Sequence, residues 1–139
     1  MSAPLMFITG ASGGLGQALA ARYAQAGWRL ALAARRTSEV EACARAQGLA
    51  PARWAVYAAD VQDIDSIVAA GQRCIEKQGL PDVVIANAGI SVGMDTADRG
   101  DLDVMRESFA INSIGMAATF HPFLAAMRSR RSGVLVGIA

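Results

Sequence analysis

The chain has 139 residues, 53% of them apolar and 18% charged, with a net charge of +1. That length is one domain, large enough to bury a core, and the apolar excess suits a sheet covered on both faces or a chain that hides surface against a partner. No block of like charge stands out, so neither nucleic acid nor an anionic membrane surface is expected as a partner.

The elements follow in order. Leu5 to Thr9 is a short apolar run met by turn chemistry, a buried strand. Leu15 to Ala26 is an Ala-rich helix ended by Gly27. Trp28 to Ala34 is the second strand. Thr37 or Ser38 can cap a second helix, which Gly48 ends. Trp54 to Ala59 is a third strand closed by Asp60. Asp63 caps a third helix that stops at Gly79, with Pro81 just beyond. Val83 to Ala86 is a fourth strand, and Asn87 to Gly100 a loop.

A long helical stretch comes next. Leu102, Met105, Phe109, Met116, Phe120, Phe123 and Met127 recur at three- and four-residue steps or their sums, one apolar face over several turns. Pro122 leaves the carbonyl of Ala118 without its helical partner, so a kink is expected there. Gly133 ends the helix, and Val134 to Ile138 begins a fifth strand. Strand and helix alternate throughout, the pattern of an α/β fold with a parallel sheet between two helical layers.

Cys43 and Cys74 lie far apart with no metal-ligand spacing; two reduced thiols and no metal site are expected. The N-terminal run LMFI passes straight into glycines, unlike a signal peptide. No run is read as approaching the ~20 apolar residues of a membrane span, so no membrane partner and a cytoplasmic location are expected.

Between the first strand and first helix stands TGASGGLG, residues 9 to 16. A pyrophosphate needs backbone N–H groups at a helix N-terminus and a chain that comes close. Gly10, Gly14 and Gly16 allow both. A dinucleotide unit that binds NAD places Asp or Glu about twenty residues further on, for the ribose 2′-hydroxyl. Here Ala34 ends the second strand, and Arg35 and Arg36 follow. A missing acid and a guanidinium in its place favour NADP over NAD. A charge-assisted contact of about 1.5–3 kcal/mol corresponds to a tenfold to hundredfold preference. A solvated Arg pair on a surface loop is the other reading.

These residues resemble the short-chain dehydrogenases/reductases. Thr9, Gly10, Gly14 and Gly16 fit the family's TGxxxGxG, with Ser12 and Leu15 inside the loop. Asp60 and Val61 resemble the family pair that contacts adenine. Asn87, Ala88 and Gly89 look like its NAG motif, which stabilises the sheet and borders the cofactor. Asn112 matches the helical Asn of its Asn-Ser-Tyr-Lys tetrad, which holds a water in the proton relay and marks a bulge in the helix. The resemblance covers the whole chain. It implies a doubly wound Rossmann fold of three layers, strand order 3-2-1-4-5, and one NAD(P)-binding domain over residues 1–139. It also implies a small carbonyl or alcohol substrate for the intact enzyme, and homo-oligomers formed through the long helix. His121 matches no catalytic position.

The family's chemistry needs a Tyr with a Lys four residues later, because a phenol of pKa ~10 is a poor acid or base near neutrality unless a cation favours its ionised form. No YxxxK is present: four residues after Tyr23 and Tyr57 stand Gly27 and Val61, and the only lysine is Lys77. By alignment the catalytic Ser would follow Ala139. The chain is therefore expected to be C-terminally truncated, inactive alone, with the fifth strand as an exposed edge. Three readings stay open: the N-terminal part of an NADP(H)-dependent oxidoreductase, a non-catalytic NADP-binding module, or a structural partner that oligomerises.

Overall fold

The computed structural model describes residues 2–139. Five parallel strands form one sheet: β1 Leu5–Thr9, β2 Arg29–Ala34, β3 Trp54–Ala58, β4 Val83–Ala86 and β5 Val134–Gly137. Their spatial order is β3-β2-β1-β4-β5, which is the doubly wound order expected. The helices are α1 Gly14–Gln25, α2 Thr37–Ala46, α3 Ile64–Gln78, α4 Arg99–Phe109 and α5 Gly115–Arg130.

Alternation along β1 divides the core in two. Leu5 and Phe7 point into a layer with Ile67, Ala70 and Cys74 of α3 and Phe123 and Met127 of α5. Met6 and Ile8 point the other way, against Ala20 and Ala24 of α1 and Val40 of α2. All five β1 residues are buried, because helices cover the sheet on both faces. Phe7 and Phe123 meet with ring centroids 5.0 Å apart. The helices α3 and α5 approach closely where Gly71 faces the ring of Pro122; a Cβ on Gly71 would run into that ring.

Several local expectations need correction. Neither Thr37 nor Ser38 caps α2: the N-cap residue is Arg36, and no side chain bonds to the helix start. Asp63 does cap α3, its carboxylate accepting from the N–H of Ser66. The last helix ends at Arg130, before Gly133, and Arg131 takes the left-handed turn at φ 58°. Pro122 lies within α5 and offers no N–H to the carbonyl of Ala118.

The long apolar stripe is also divided. Residues Ala110–Ile114 form a π-helical turn, so the run is α4, a wide turn and α5. The extra residue rotates the face. Phe123 and Met127 go into the core, whereas no residue of α4 is buried; Leu102 is 41% and Phe109 60% exposed. The combined span Arg99–Arg130, with mean hydropathy 1.2 over its best window, is long and apolar enough to cross a membrane. That corrects the expectation that no run comes near that length. Residues 108–127 contain no Asp, Glu, Lys or Arg, and uncharged polar residues are scattered through them. Here α5 spends its apolar side chains on α3 and the sheet.

Candidate functional site

The loop from β1 to α1 begins at Gly10, φ +66°, a left-handed conformation that glycine adopts freely. A Cβ there would stand 2.9 Å from Asn87 Nδ2 and 3.0 Å from the N–H nitrogen of Ala88. At Gly16 an added Cβ would collide with the Gly10 carbonyl, whereas at Gly14 it would meet nothing within 4 Å. So two glycines let the loop close on itself, and Gly14 faces open space. The helix α1 has no side-chain cap and no acidic residue in its first turn. Its positive end is therefore left for an anion.

Thr9 and Asn87 fasten this loop to the next strand over. The Thr9 hydroxyl oxygen accepts from the N–H of Asn87 at 3.0 Å and of Ala88 at 3.1 Å. Asn87 Nδ2 donates to the Gly10 carbonyl at 3.3 Å. These bonds join the ends of adjacent strands β1 and β4, the point where the winding of the sheet reverses and a crevice opens.

The crevice is a cleft of about 330 Å³. Its walls include Thr9, Gly10 and Ser12 in the middle, Arg35 and Arg36 past the end of β2, and Asp60 and Val61 past β3. Asn87, Ala88 and Gly89 form the other end. Gly14, Leu15 and Gly16, also expected at the cofactor, stand outside this lining: Gly16 is buried under the loop, while Gly14 and Leu15 are exposed at the start of α1. Asp60 is held in place, its N–H donating to Ser66 Oγ at 3.0 Å and its carboxylate accepting from the N–H of Gln62 at 3.0 Å.

Asn112 does sit in a widened turn, the π-helical segment. It does not line the cleft. Both ends of its amide go to one residue: Oδ1 accepts from the Ile90 N–H at 2.8 Å and Nδ2 donates to the Ile90 carbonyl at 2.7 Å. Its visible work is to brace the segment after Gly89.

Among the cleft residues that escaped the sequence reading are Gln62 and Glu107. Gln62 Nε2 donates to Glu107 Oε1 at 3.0 Å, joining the loop after β3 to α4 across the rim. The two are 45 positions apart and belong to no motif, so no sequence signal marked them.

Tyr57 is no candidate acid or base. It is buried, its hydroxyl donates to Gln78 Oε1 at 2.9 Å, and burial, followed by the neighbouring Cys74, drives its pKa well above the ordinary phenol value. Burial also pushes the Cys74 thiol up, to about 12. Both cysteines are free, and among the described residues no cluster of His, Cys, Asp and Glu could hold a metal ion. His121 is exposed on α5.

The short chain dehydrogenase profile matches residues 4–139. The chain belongs to the short-chain dehydrogenase/reductase family. Among curated short-chain dehydrogenase/reductase relatives, a family protein 7-like dehydrogenase/reductase of Anopheles gambiae is 32% identical, covering 100% of this chain and 45% of its own length. A 3-dehydrosphinganine reductase of Arabidopsis thaliana is 32% identical over 90% of this chain and 37% of its own. Among solved structures, a short-chain dehydrogenase from Streptomyces avermitilis superposes with TM-score 0.89 at 30% identity, covering 99% of this chain and 49% of that one. An alcohol dehydrogenase from Thermococcus sibiricus, complexed with 5-hydroxy-NADP, gives 0.86 at 29% identity, covering 97% of this chain and 57% of that one. The chain thus spans about half the length of the short-chain dehydrogenases/reductases it matches.

Proposed function

We propose that this chain is the dinucleotide-binding part of an NADP(H)-dependent oxidoreductase acting on a small carbonyl or alcohol. The observation that carries the NADP reading is at the end of β2. Ala34 stands where an acid would receive a ribose 2′-hydroxyl, and Arg35 and Arg36 line the same cleft. An NADP analogue is bound by the related Thermococcus sibiricus enzyme, which agrees with this reading.

The residues fit the cofactor along its length. The open face at Gly14 and the uncapped start of α1 suit the pyrophosphate. Asp60 and Val61 would hold the adenine, Arg35 the 2′-phosphate, and Asn87 to Gly89 would border the nicotinamide half. The bound nicotinamide would supply or accept the hydride. Asn112 takes a positioning role, since its amide is committed to Ile90. Without a YxxxK among its 139 residues, the chain by itself should bind cofactor and turn nothing over. Self-association through the long helix belongs to the same reading; the exposed apolar side chains Leu102, Phe109 and Ile114 support it.

The test is a fluorescence titration of the 139-residue chain with NADPH and NADH. NADPH should bind at least tenfold tighter, and Arg35→Ala should remove most of that difference while leaving NADH unchanged. Equal affinity, or tighter NADH, overturns the NADP assignment. No binding of either by a folded chain overturns the reading as a whole.

A further inference from the structure

Arg35 and Arg36 are neighbours at the cleft but keep different company. Arg36 Nη1 donates to Glu39 Oε1 at 3.3 Å, an ion pair across the first turn of α2. Among the described residues, Arg35 makes no ion pair and no side-chain hydrogen bond to the protein. A 2′-phosphate arriving here would meet one guanidinium at liberty and one already shared with a carboxylate. It would also meet the negative charge of that carboxylate.

We propose that Glu39 is a specificity-determining residue of the nucleotide site: it holds Arg36 away from the ribose 2′-phosphate and so lowers the preference for the phosphorylated cofactor. Arg35 is left to make the discriminating contact. The inference rests on the NADP reading above. The Arg36–Glu39 pair is exposed, at 72% and 49% of the side chains, so water and salt weaken it and its restraint is partial. Removing it should change affinity about threefold, within the roughly 1.4-fold to fivefold range of an exposed pair. Glu39 lies outside the core and Gln keeps its length and helix preference, so Glu39→Gln is expected to fold as the parent does.

The experiment is calorimetric titration of the 139-residue chain with 2′,5′-ADP and with 5′-ADP, which differ only at the ribose phosphate. The variants are Glu39→Gln, Arg36→Ala and the double variant. Glu39→Gln should tighten 2′,5′-ADP about threefold and leave 5′-ADP unchanged. In the Arg36→Ala background that gain should fall to less than half, and added salt should shrink it. If the parent prefers 2′,5′-ADP but Glu39→Gln leaves the ratio unchanged, the role of Glu39 is overturned and the NADP reading stands. If the full gain survives without Arg36, the restraint on Arg36 is overturned. If the parent shows no preference, the NADP reading falls and Glu39 falls with it.

Discussion

Asn87 reaches back from the end of β4 and donates its side-chain amide to the carbonyl of Gly10, 3.3 Å away. The same carbonyl is the atom that an added Cβ on Gly16 would strike. One backbone group therefore joins the motif after β4 to the glycine loop, and leaves no room beside it.

The loop glycines should separate by experiment. Gly16→Ala must displace the Gly10 carbonyl, so NADPH binding should weaken more than tenfold, with a loss of stability of about 1–3 kcal/mol from the crowding. Gly14→Ala adds a methyl group to open space at the start of a helix, where Ala is favoured over Gly by up to ~1 kcal/mol. Its urea midpoint should stay equal or rise while NADPH binding weakens, because a close pyrophosphate would meet that methyl. Unchanged binding in Gly14→Ala would place the phosphates elsewhere.

Thr9 is 2% exposed and its hydroxyl receives two backbone donors. Thr9→Val keeps the shape and strands both N–H groups, at a cost of about 1–3 kcal/mol. Thr9→Ser keeps the oxygen and should recover most of that. Urea unfolding of the three proteins checks it; equal stability of Val and Ser would mean that water replaces the hydroxyl.

Cys74 predicts alkaline sensitivity. Its thiol is raised from 9.0 to about 12 by burial. Between those values the unfolded chain loses its proton while the folded chain keeps it, so stability falls as pH rises. The loss should reach about 1.4 kcal/mol by pH 10. Below about pH 8 the contribution is complete and flat. Tyr57, raised in the same direction, adds its own loss above its ordinary value of 10.0. Cys74→Ala should therefore flatten the decline between pH 9 and 10, read from urea midpoints, and reduce without abolishing the later fall, since burial is the larger cause of the Tyr57 shift and Cys74 the next. An identical slope in both proteins would assign the decline to other groups.

Local chemistry was legible where it was dense. The strands Leu5–Thr9 and Val83–Ala86 have the bounds their apolar runs imply, and Asp63 caps the helix it precedes. The cleft's middle was legible too, because glycines mark it by what they lack. Less legible were features that depend on a partner. Thr37 and Ser38 have the chemistry of caps, but the chain enters α2 at Arg36. The stripe from Leu102 to Met127 reads as one face because periodicity records polarity, not what lies opposite. The π-helical turn resets its phase, and only the later half finds the core. The pairing of Gln62 with Glu107 depends on the fold as a whole.

The central position of β1 sets a clock for synthesis. Leu5 and Asp82 exchange two backbone-directed bonds, the Leu5 N–H to the Asp82 carboxylate and the Asp82 N–H to the Leu5 carbonyl, each 2.8 Å. They are 77 positions apart. At about 5–20 residues per second, a ribosome needs roughly 4–15 s to make that interval. Until β2 is made the apolar segment Leu5–Thr9 has no strand partner, and from then until β4 it has one on one side only. A nascent chain halted before β4 therefore leaves one edge of β1 open, and Val83–Ala86 is the segment whose emergence closes it.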